Sequence, residues 1–337
     1  MKREKQLLKN TVIIAIGQIC TKFVSFFLLP LYTSLLTTKE YGVVDLLNTF
    51  ISLLLPLVFF QIDQGIFRFL IDVRNDNDKQ KKYISTSFFT LLIQAIIYVI
   101  IFYIVSPFIK NEYKYFLVTN VISTIFSSYI LQVSRGLGDN LSYSKGSLIS
   151  GVGTVLLNVL FIVKYKMGAY GMLIATLIAN ILCFTYIFFK KKLYNFIKIE
   201  MLDKKVLKEI WKYSIPLIPN QLSWWIINAS DRSIITMFLG VDTNGIYSAS
   251  NKFSSICITF YNIFNMAWTE SAASHFNDND KSEFFSKILN NTIEIFSSIC
   301  YLIIALMPFC FKFFLFIYSV YINIPISDNK FNLKSIK

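Results

Sequence analysis

A chain of 337 residues that is 55% hydrophobic, 17% aromatic and only 16% charged has too little charge to cover a soluble domain of its length. Its net charge of +13 is spread over short loops, which argues against a nucleic-acid surface and suits the orientation of membrane segments. Five cysteines stand singly in apolar runs with one histidine, His275, in the whole chain, so neither a disulfide framework nor a zinc site is expected.

The basic start MKREKQLLKN leads into an apolar run that continues to about Leu36. That is too long for a cleaved signal peptide and is read as a retained first span. Further spans are expected at Val43–Ile62, Ile84–Ile109, Tyr115–Ser134, Ser147–Val163, Ala169–Phe189, Tyr213–Leu239, Ile246–Trp268 and Ile288–Met307. Each approaches the roughly 20 helical residues that cross a hydrocarbon core. The run Phe309–Val320, which contains Lys312, is either a tenth span or a continuation of the ninth. The expected fold is all-α: a polytopic membrane protein of about nine or ten helices. Its parts are a six-helix lobe over 1–189, a basic linker over 190–212, an incomplete second lobe over 213–320 and a polar tail over 321–337. The tail YINIPISDNKFNLKSIK differs in character from what precedes it and is read as the end of a truncated, frameshifted chain, against the alternative of a plain cytoplasmic tail.

Alternate loops differ in charge. The N-terminus and the loops 63–83, 135–146, 190–212 and 269–287 hold 21 Lys and Arg, against 5 in the opposite set. The N-terminus and the linker therefore face the cytoplasm. The outer loops are short, leaving no room there for a catalytic domain.

A shift of 203 residues lays TSLLTTKEYGVVDLLNTFIS over TMFLGVDTNGIYSASNKFSS, with Gly42 on Gly245 and Asn48 on Asn251. Both stretches join two spans through a tight outer turn, as an internal repeat would.

Charges inside the spans fall on polar stripes. Gln221, Trp225, Asn228, Arg232 and Thr236 share one helical face, as do Ser248, Lys252, Ser255, Thr259 and Asn262. Thr11, Gln18, Lys22 and Ser25 form a third stripe; Ser150, Thr154 and Asn158 a fourth. A base at a helix centre costs roughly 2.5–3.5 kcal/mol to insert and usually faces a bundle interior. The stripes therefore surround a hydrated cavity, or their hydroxyls and amides join helices while Lys22 and Lys252 snorkel to a surface. A basic interior suits an anionic cargo such as phosphate or pyrophosphate, with Lys22, Asn228, Arg232 and Lys252 as candidate contacts. Asp231, Asp63 and Glu270 either pair with bases or carry a coupling proton or sodium ion; Asp63 and Glu270 fall at the cytoplasmic interface.

The opening LLKNTVIIAIGQICTKFVSFFLLPLYTSLLTTKEYGVVDLLNTF and the stretch YSIPLIPNQLSWWIINASDRSIITMFLGVDTNGIYSASNKFSSI, with its IP, DR, FLG and GIY elements, resemble bacterial polysaccharide repeat-unit flippases. These belong to the multidrug/oligosaccharidyl-lipid/polysaccharide (MOP) exporter superfamily. The resemblance runs from about residue 7 to 315. It implies two six-helix lobes around a central cavity in the bacterial cytoplasmic membrane. It also implies alternating access that flips an undecaprenyl-pyrophosphate-linked oligosaccharide, O-antigen or a similar glycan, with no enzymatic step and no cofactor. Arg232 matches the family's base after Asp in the seventh span, Lys252 the base after the GIY turn, and Lys22 a first-span charge. The bilayer and other polysaccharide-assembly membrane proteins are the implied partners. Members usually have twelve to fourteen spans, and this chain lacks the last three or more. Three other readings stay open: a multidrug exporter, whose cavity would be predominantly acidic; a membrane polymerase or acyltransferase of glycan assembly; and a non-functional flippase fragment.

Overall fold

The computed structural model describes residues 34–109 and 111–251, with Tyr32 and single positions between 258 and 306; the side chains of 228 and 229 are not described. The chain divides into two compact units, Met1–Val24 with Thr38–Ser248, and Ser25–Thr37 with Ala249–Lys337. The described residues of the second unit are helical apart from Leu36 and Thr37, where the chain bends. The expected first span falls almost wholly outside the described residues, and the ninth and tenth are described at single positions or not at all.

In the first unit, α1 (Thr38–Phe59) carries Glu40 in its first turn, where a carboxylate favours the helix dipole. Pro56 lies inside it and has no N–H to give the Ser52 carbonyl, which weakens the last turn. Phe60 and Gln61 then adopt left-handed φ values of 50° and 53°. Such a conformation costs roughly 1–2 kcal/mol for each L-residue, so two in succession make a deliberate break. It redirects the chain into α2 (Ile62–Asp72), which buries Ile62, Ile66 and Leu70 on one face. The expected loop 63–83 is therefore largely helical.

The long helix α3 (Asn77–Val105) starts at Asp76, whose side chain accepts the Lys79 N–H. Its Ile84, Leu91, Ala95, Tyr98 and Phe102 turn inward, while Ile93, Ile96, Ile97, Ile100 and Ile104 are half or more exposed. An aliphatic outer face of this length suits lipid, not water. Then follow α4 (Lys114–Gly136), α5 (Asn140–Val159, continued by a π turn over Leu160–Lys164) and α6 (Gly168–Lys190). Asp139 caps α5 through the Ser142 N–H and pairs with Lys191 at the end of α6. Burial raises the Asp139 carboxyl, but the Lys191 ammonium and the Ser142 N–H and hydroxyl outweigh it and hold the pKa down at about 2.

The core joins these helices through fully buried Phe59, Ile62, Ile84, Val121, Val133 and Ile187. Within it the Tyr129 hydroxyl meets Ser87 Oγ at 2.8 Å and donates to the Ile84 carbonyl, so its polar tip is satisfied.

The linker is more ordered than a basic loop. It contains α7 (Lys204–Ser214), which buries Val206, Ile210 and Ser214 and exposes Lys204, Lys208 and Lys212. Gly65 of α2 lies so close to Ile210 and Ser214 that a Cβ would collide with both side chains. The seventh span begins at Leu217 instead of Tyr213, because Pro216 separates α7 from α8 (Leu217–Leu239). The outer turn shrinks to Gly240, whose φ of 87° is one that glycine tolerates, and residues 241–251 form α9.

Among the described residues there are no strands. Five helices, α1 and α3 to α6, are long and apolar enough to cross a membrane. The protein is a multi-pass, all-α membrane protein. At 23 residues α8 matches the spans in length, and its polar stripe makes it less apolar.

Candidate functional site

The start of α1 packs on the start of α9, and the contact is nearly self-complementary. A Cβ on Gly42 would collide with the Val241 carbonyl, and one on Gly245 with the Thr38 carbonyl. Val241 and Gly245 are Thr38 and Gly42 shifted by 203 residues, so each repeat offers the same two positions to the other. The approach is sealed by Asn244 Nδ2 donating to the Gly42 carbonyl at 3.1 Å and Thr38 Oγ1 donating to Asp242 at 2.9 Å.

One turn further along α1 is Asp45. Its Oδ2 lies 2.9 Å from Arg232 Nε of α8 and accepts the Ser248 hydroxyl of α9. Asp45 and Ser248 are themselves equivalent under the 203-residue shift. The Arg232 and Asp45 side chains keep only 21% and 16% of their surface exposed. In such surroundings a guanidinium and a carboxylate stabilise each other's charged forms against the cost of leaving water. The Nε–H itself is not aligned on the Asp45 oxygen, so at that atom the contact is a charge pair and not a hydrogen bond. Asp231 faces differently, as its 100° offset requires: its carboxylate accepts the Tyr247 hydroxyl of α9 and the Arg232 backbone N–H.

Two turns back along α8, Trp225 Nε1 donates to the Thr49 carbonyl of α1 at 2.9 Å. Trp225 and Trp224 wall a pocket of about 380 Å³ between α1, α2, α4 and α8. Its polar lining includes Gln61, Asp63, Gln64 and Gln221, with Ser52 and Ser128. The Asp63 carboxylate accepts from Ser128 Oγ at 2.7 Å and from Gln64 Nε2 at 3.2 Å, both on Oδ2. Burial pushes this carboxyl above the usual carboxylate range, and the Ser128 and Gln64 hydrogen bonds only partly offset that.

The structure thus gathers Asp231 and Arg232 into one cluster and puts Asp63 in a pocket on another part of α8. Lys22, Lys252 and Glu270 lie outside the described residues, and of Asn228 only the backbone is described. Of the stripe residues, Ser150 joins two helices by donating to Asn180 of α6, while Thr154 and Thr236 donate to carbonyls in their own helices. The residue missed in the sequence is Asp45. Its signal was available, since an acid in an apolar run needs a partner just as Arg232 does.

A family model described as polysaccharide biosynthesis protein matches residues 7–269. The chain belongs to this family. No curated protein matches it in sequence. The fold of this polysaccharide biosynthesis protein is shared with solved transporters of the MOP superfamily. It resembles the outward-facing conformation of a multidrug resistance MATE family transporter at 16% identity and a TM-score of 0.58, covering 80% of this chain and 64% of that one. For an inward-facing conformation of a multidrug resistance MATE family transporter the identity is 15% and the TM-score 0.60, covering 80% and 68%. A MOP superfamily transporter from Pyrococcus furiosus, noted for the reverse polarity of its binding pocket, gives 16% and 0.60, covering 80% and 64%. The polysaccharide biosynthesis protein therefore spans about two thirds of the length of these transporters.

Proposed function

We propose that this chain moves a polyprenyl-pyrophosphate-linked oligosaccharide across the bacterial cytoplasmic membrane by alternating access, with its N-terminus in the cytoplasm. Membership of a polysaccharide biosynthesis family on a transporter fold supports a transport role. The observation that carries the choice of cargo is Arg232, a largely buried guanidinium paired with the Asp45 carboxylate. An incoming pyrophosphate competes with Asp45 for it, since its oxygens match the planar donor fork and carry more charge. Lys22 and Lys252 add further positive charge to the lining, and Asn228 a neutral amide that both donates and accepts. Asp231, Asp63 and Glu270 balance charge or carry the coupling ion, a proton or sodium. The lipid tails stay in the bilayer; the barrier is the passage of pyrophosphate and hydroxyls through hydrocarbon, and the polar interior replaces their water. Rocking of the 1–189 lobe against the 213–320 helices exposes the headgroup to each side in turn. No bond is made or broken.

The test is complementation of a bacterium that lacks its repeat-unit flippase. The chain restores surface glycan, Arg232→Ala abolishes it with membrane insertion intact, and Arg232→Lys retains part, because charge persists while the fork is lost. Normal glycan with Arg232→Ala at native expression removes Arg232 from the mechanism.

A second reading, export of cationic drugs, is favoured by the multidrug transporters of similar fold, by the acids Asp45 and Asp231 beside Arg232, and by Asp63 in the pocket further along α8. Ethidium efflux from the same cells distinguishes it: energy-dependent efflux that Arg232→Ala leaves intact supports export over flipping.

A further inference from the structure

The pocket beside Trp224 and Trp225 has a composition that neither a pyrophosphate nor a lipid tail calls for. Its polar lining contains one acid and no base, so an anion finds no counter-charge there. Three primary amides, from Gln61, Gln64 and Gln221, converge on it, and each both donates and accepts. Among the described residues, the side-chain amides of Gln61 and Gln221 have no hydrogen-bond partner, while Gln64 is held by Asp63. Trp225 is fixed by its bond to the Thr49 carbonyl, and Trp224 is 52% exposed. Pro56, also in the lining, leaves the Ser52 carbonyl without its helical donor. The break at Phe60 and Gln61, two non-glycine residues in left-handed conformation, places Gln61 and Asp63 at this pocket. Strain of that kind persists where the surroundings over-determine it, often at a binding site.

We propose that this pocket is a sugar subsite, which takes the pyranose next to the pyrophosphate of the lipid-linked cargo. A pyranose presents C–H groups on its flat faces and hydroxyls around its rim. The C–H groups suit the negative face of an indole, and hydroxyls that both donate and accept suit amides and a carboxylate. The pocket volume of about 380 Å³ lies near the small end of the range for ligand sites, roughly 300–1,000 Å³. Position agrees as well. Trp225 and Arg232 are two turns apart on one face of α8, about 10 Å along its axis, a gap that a glycosyl pyrophosphate spans together with the long Arg232 side chain. Arg232 then holds the part common to every cargo, and the pocket reads the first sugar. A cation is the competing occupant for tryptophans beside an acid, but it has no use for the donors of three amides.

This subsite rests on the flippase reading, and one experiment separates their failures. The purified 337-residue chain in detergent is offered undecaprenol, undecaprenyl pyrophosphate, and undecaprenyl pyrophosphate bearing one N-acetylhexosamine, with retention read by native mass spectrometry. The chain retains both pyrophosphates over undecaprenol and favours the glycosylated one by about fivefold. Trp224→Ala and Gln221→Ala, both at exposed side chains, erase that preference with the bare pyrophosphate bound as before; Trp224→Phe keeps part of it. Arg232→Ala weakens both pyrophosphates alike. Equal retention of the two pyrophosphates by the unmodified chain, or a preference that survives both pocket variants, overturns the subsite and leaves the flippase reading standing. Retention of neither over undecaprenol overturns both. Pocket variants that weaken tetraphenylphosphonium binding and spare the glycolipid show a cation pocket and overturn the subsite alone.

Discussion

Asp45 and Arg232 answer each other across two helices that are nearly 190 residues apart in sequence, and removing either leaves a charge in a place with little water. Asp45→Ala is expected to lower the thermal midpoint in detergent, with a stability loss somewhat below the ~3–5 kcal/mol of a fully buried pair because both groups keep some exposure. Adding Arg232→Met in that background recovers part of the loss, because a poorly hydrated guanidinium no longer stands without the Asp45 carboxylate. Equal midpoints for the native chain and Asp45→Ala would show that the pair contributes nothing. Asp63 offers a pH test. Its pKa in the fold stands above the ordinary 3.8, because burial disfavours the carboxylate. Between those two values the folded chain keeps a proton that the unfolded chain has lost. Its contribution to stability therefore falls as pH rises through that window and is flat above it. Asp63→Asn lacks this slope and is the more stable of the two at neutral pH; parallel pH profiles would contradict the assignment. Arg232 and Asp63 stood out in the sequence because charge is rare in such a chain. Asp45 carried the same signal, an acid in an apolar run, but its partners come from α8 and α9, and no local spacing reveals which residues folding brings to it. The Trp224 and Trp225 pocket was hidden for the same reason: four separate helices line it.

Among the elements, the contact of α1 with α9 depends on two glycines. Gly245→Ala drives a methyl group into the Thr38 carbonyl, which is backbone and cannot swing aside. The helices must separate, with an expected loss of about 1–3 kcal/mol, the usual cost of overpacking. Gly153→Ala in α5, whose Cβ would meet only Ala179 Cβ at 3.7 Å, serves as the control and leaves the midpoint nearly unchanged. If the two variants melt alike, the close approach is not as described. Hydropathy alone placed the helices α3 to α6 to within several residues, because long apolar runs with few charges have one solution in a bilayer. The boundaries that shifted did so for local reasons. Spans begin earlier where polar first turns such as Asn77–Lys82 are already helical. α8 begins later because Pro216 interrupts it, and α1 ends at the Phe60–Gln61 break, which no glycine announced. The linker helix α7 was legible in principle, since Val206, Ile210 and Ser214 recur every four residues beneath a lysine face. Its basic character drew attention to orientation instead.

At the scale of the molecule, the 203-residue shift reappears as geometry: Gly42 meets Gly245, and Asp45 bonds Ser248, its own equivalent. The fold thereby places the Arg232–Asp45 ion pair beside the crossing point of the two similar segments. On the proposed function, a pyrophosphate headgroup exchanges with Asp45 at Arg232 and crosses with its sugar. The most direct measurement is flipping in proteoliposomes. The chain is reconstituted with an undecaprenyl-pyrophosphate-linked N-acetylhexosamine carrying a fluorophore, and a membrane-impermeant reductant reports how much label reaches the outer leaflet. Loss of label beyond the outer half is expected with the native chain, and none beyond it with Arg232→Ala at equal reconstitution. Label retained in the inner half with the native chain, or flipped as fast by Arg232→Ala, contradicts it.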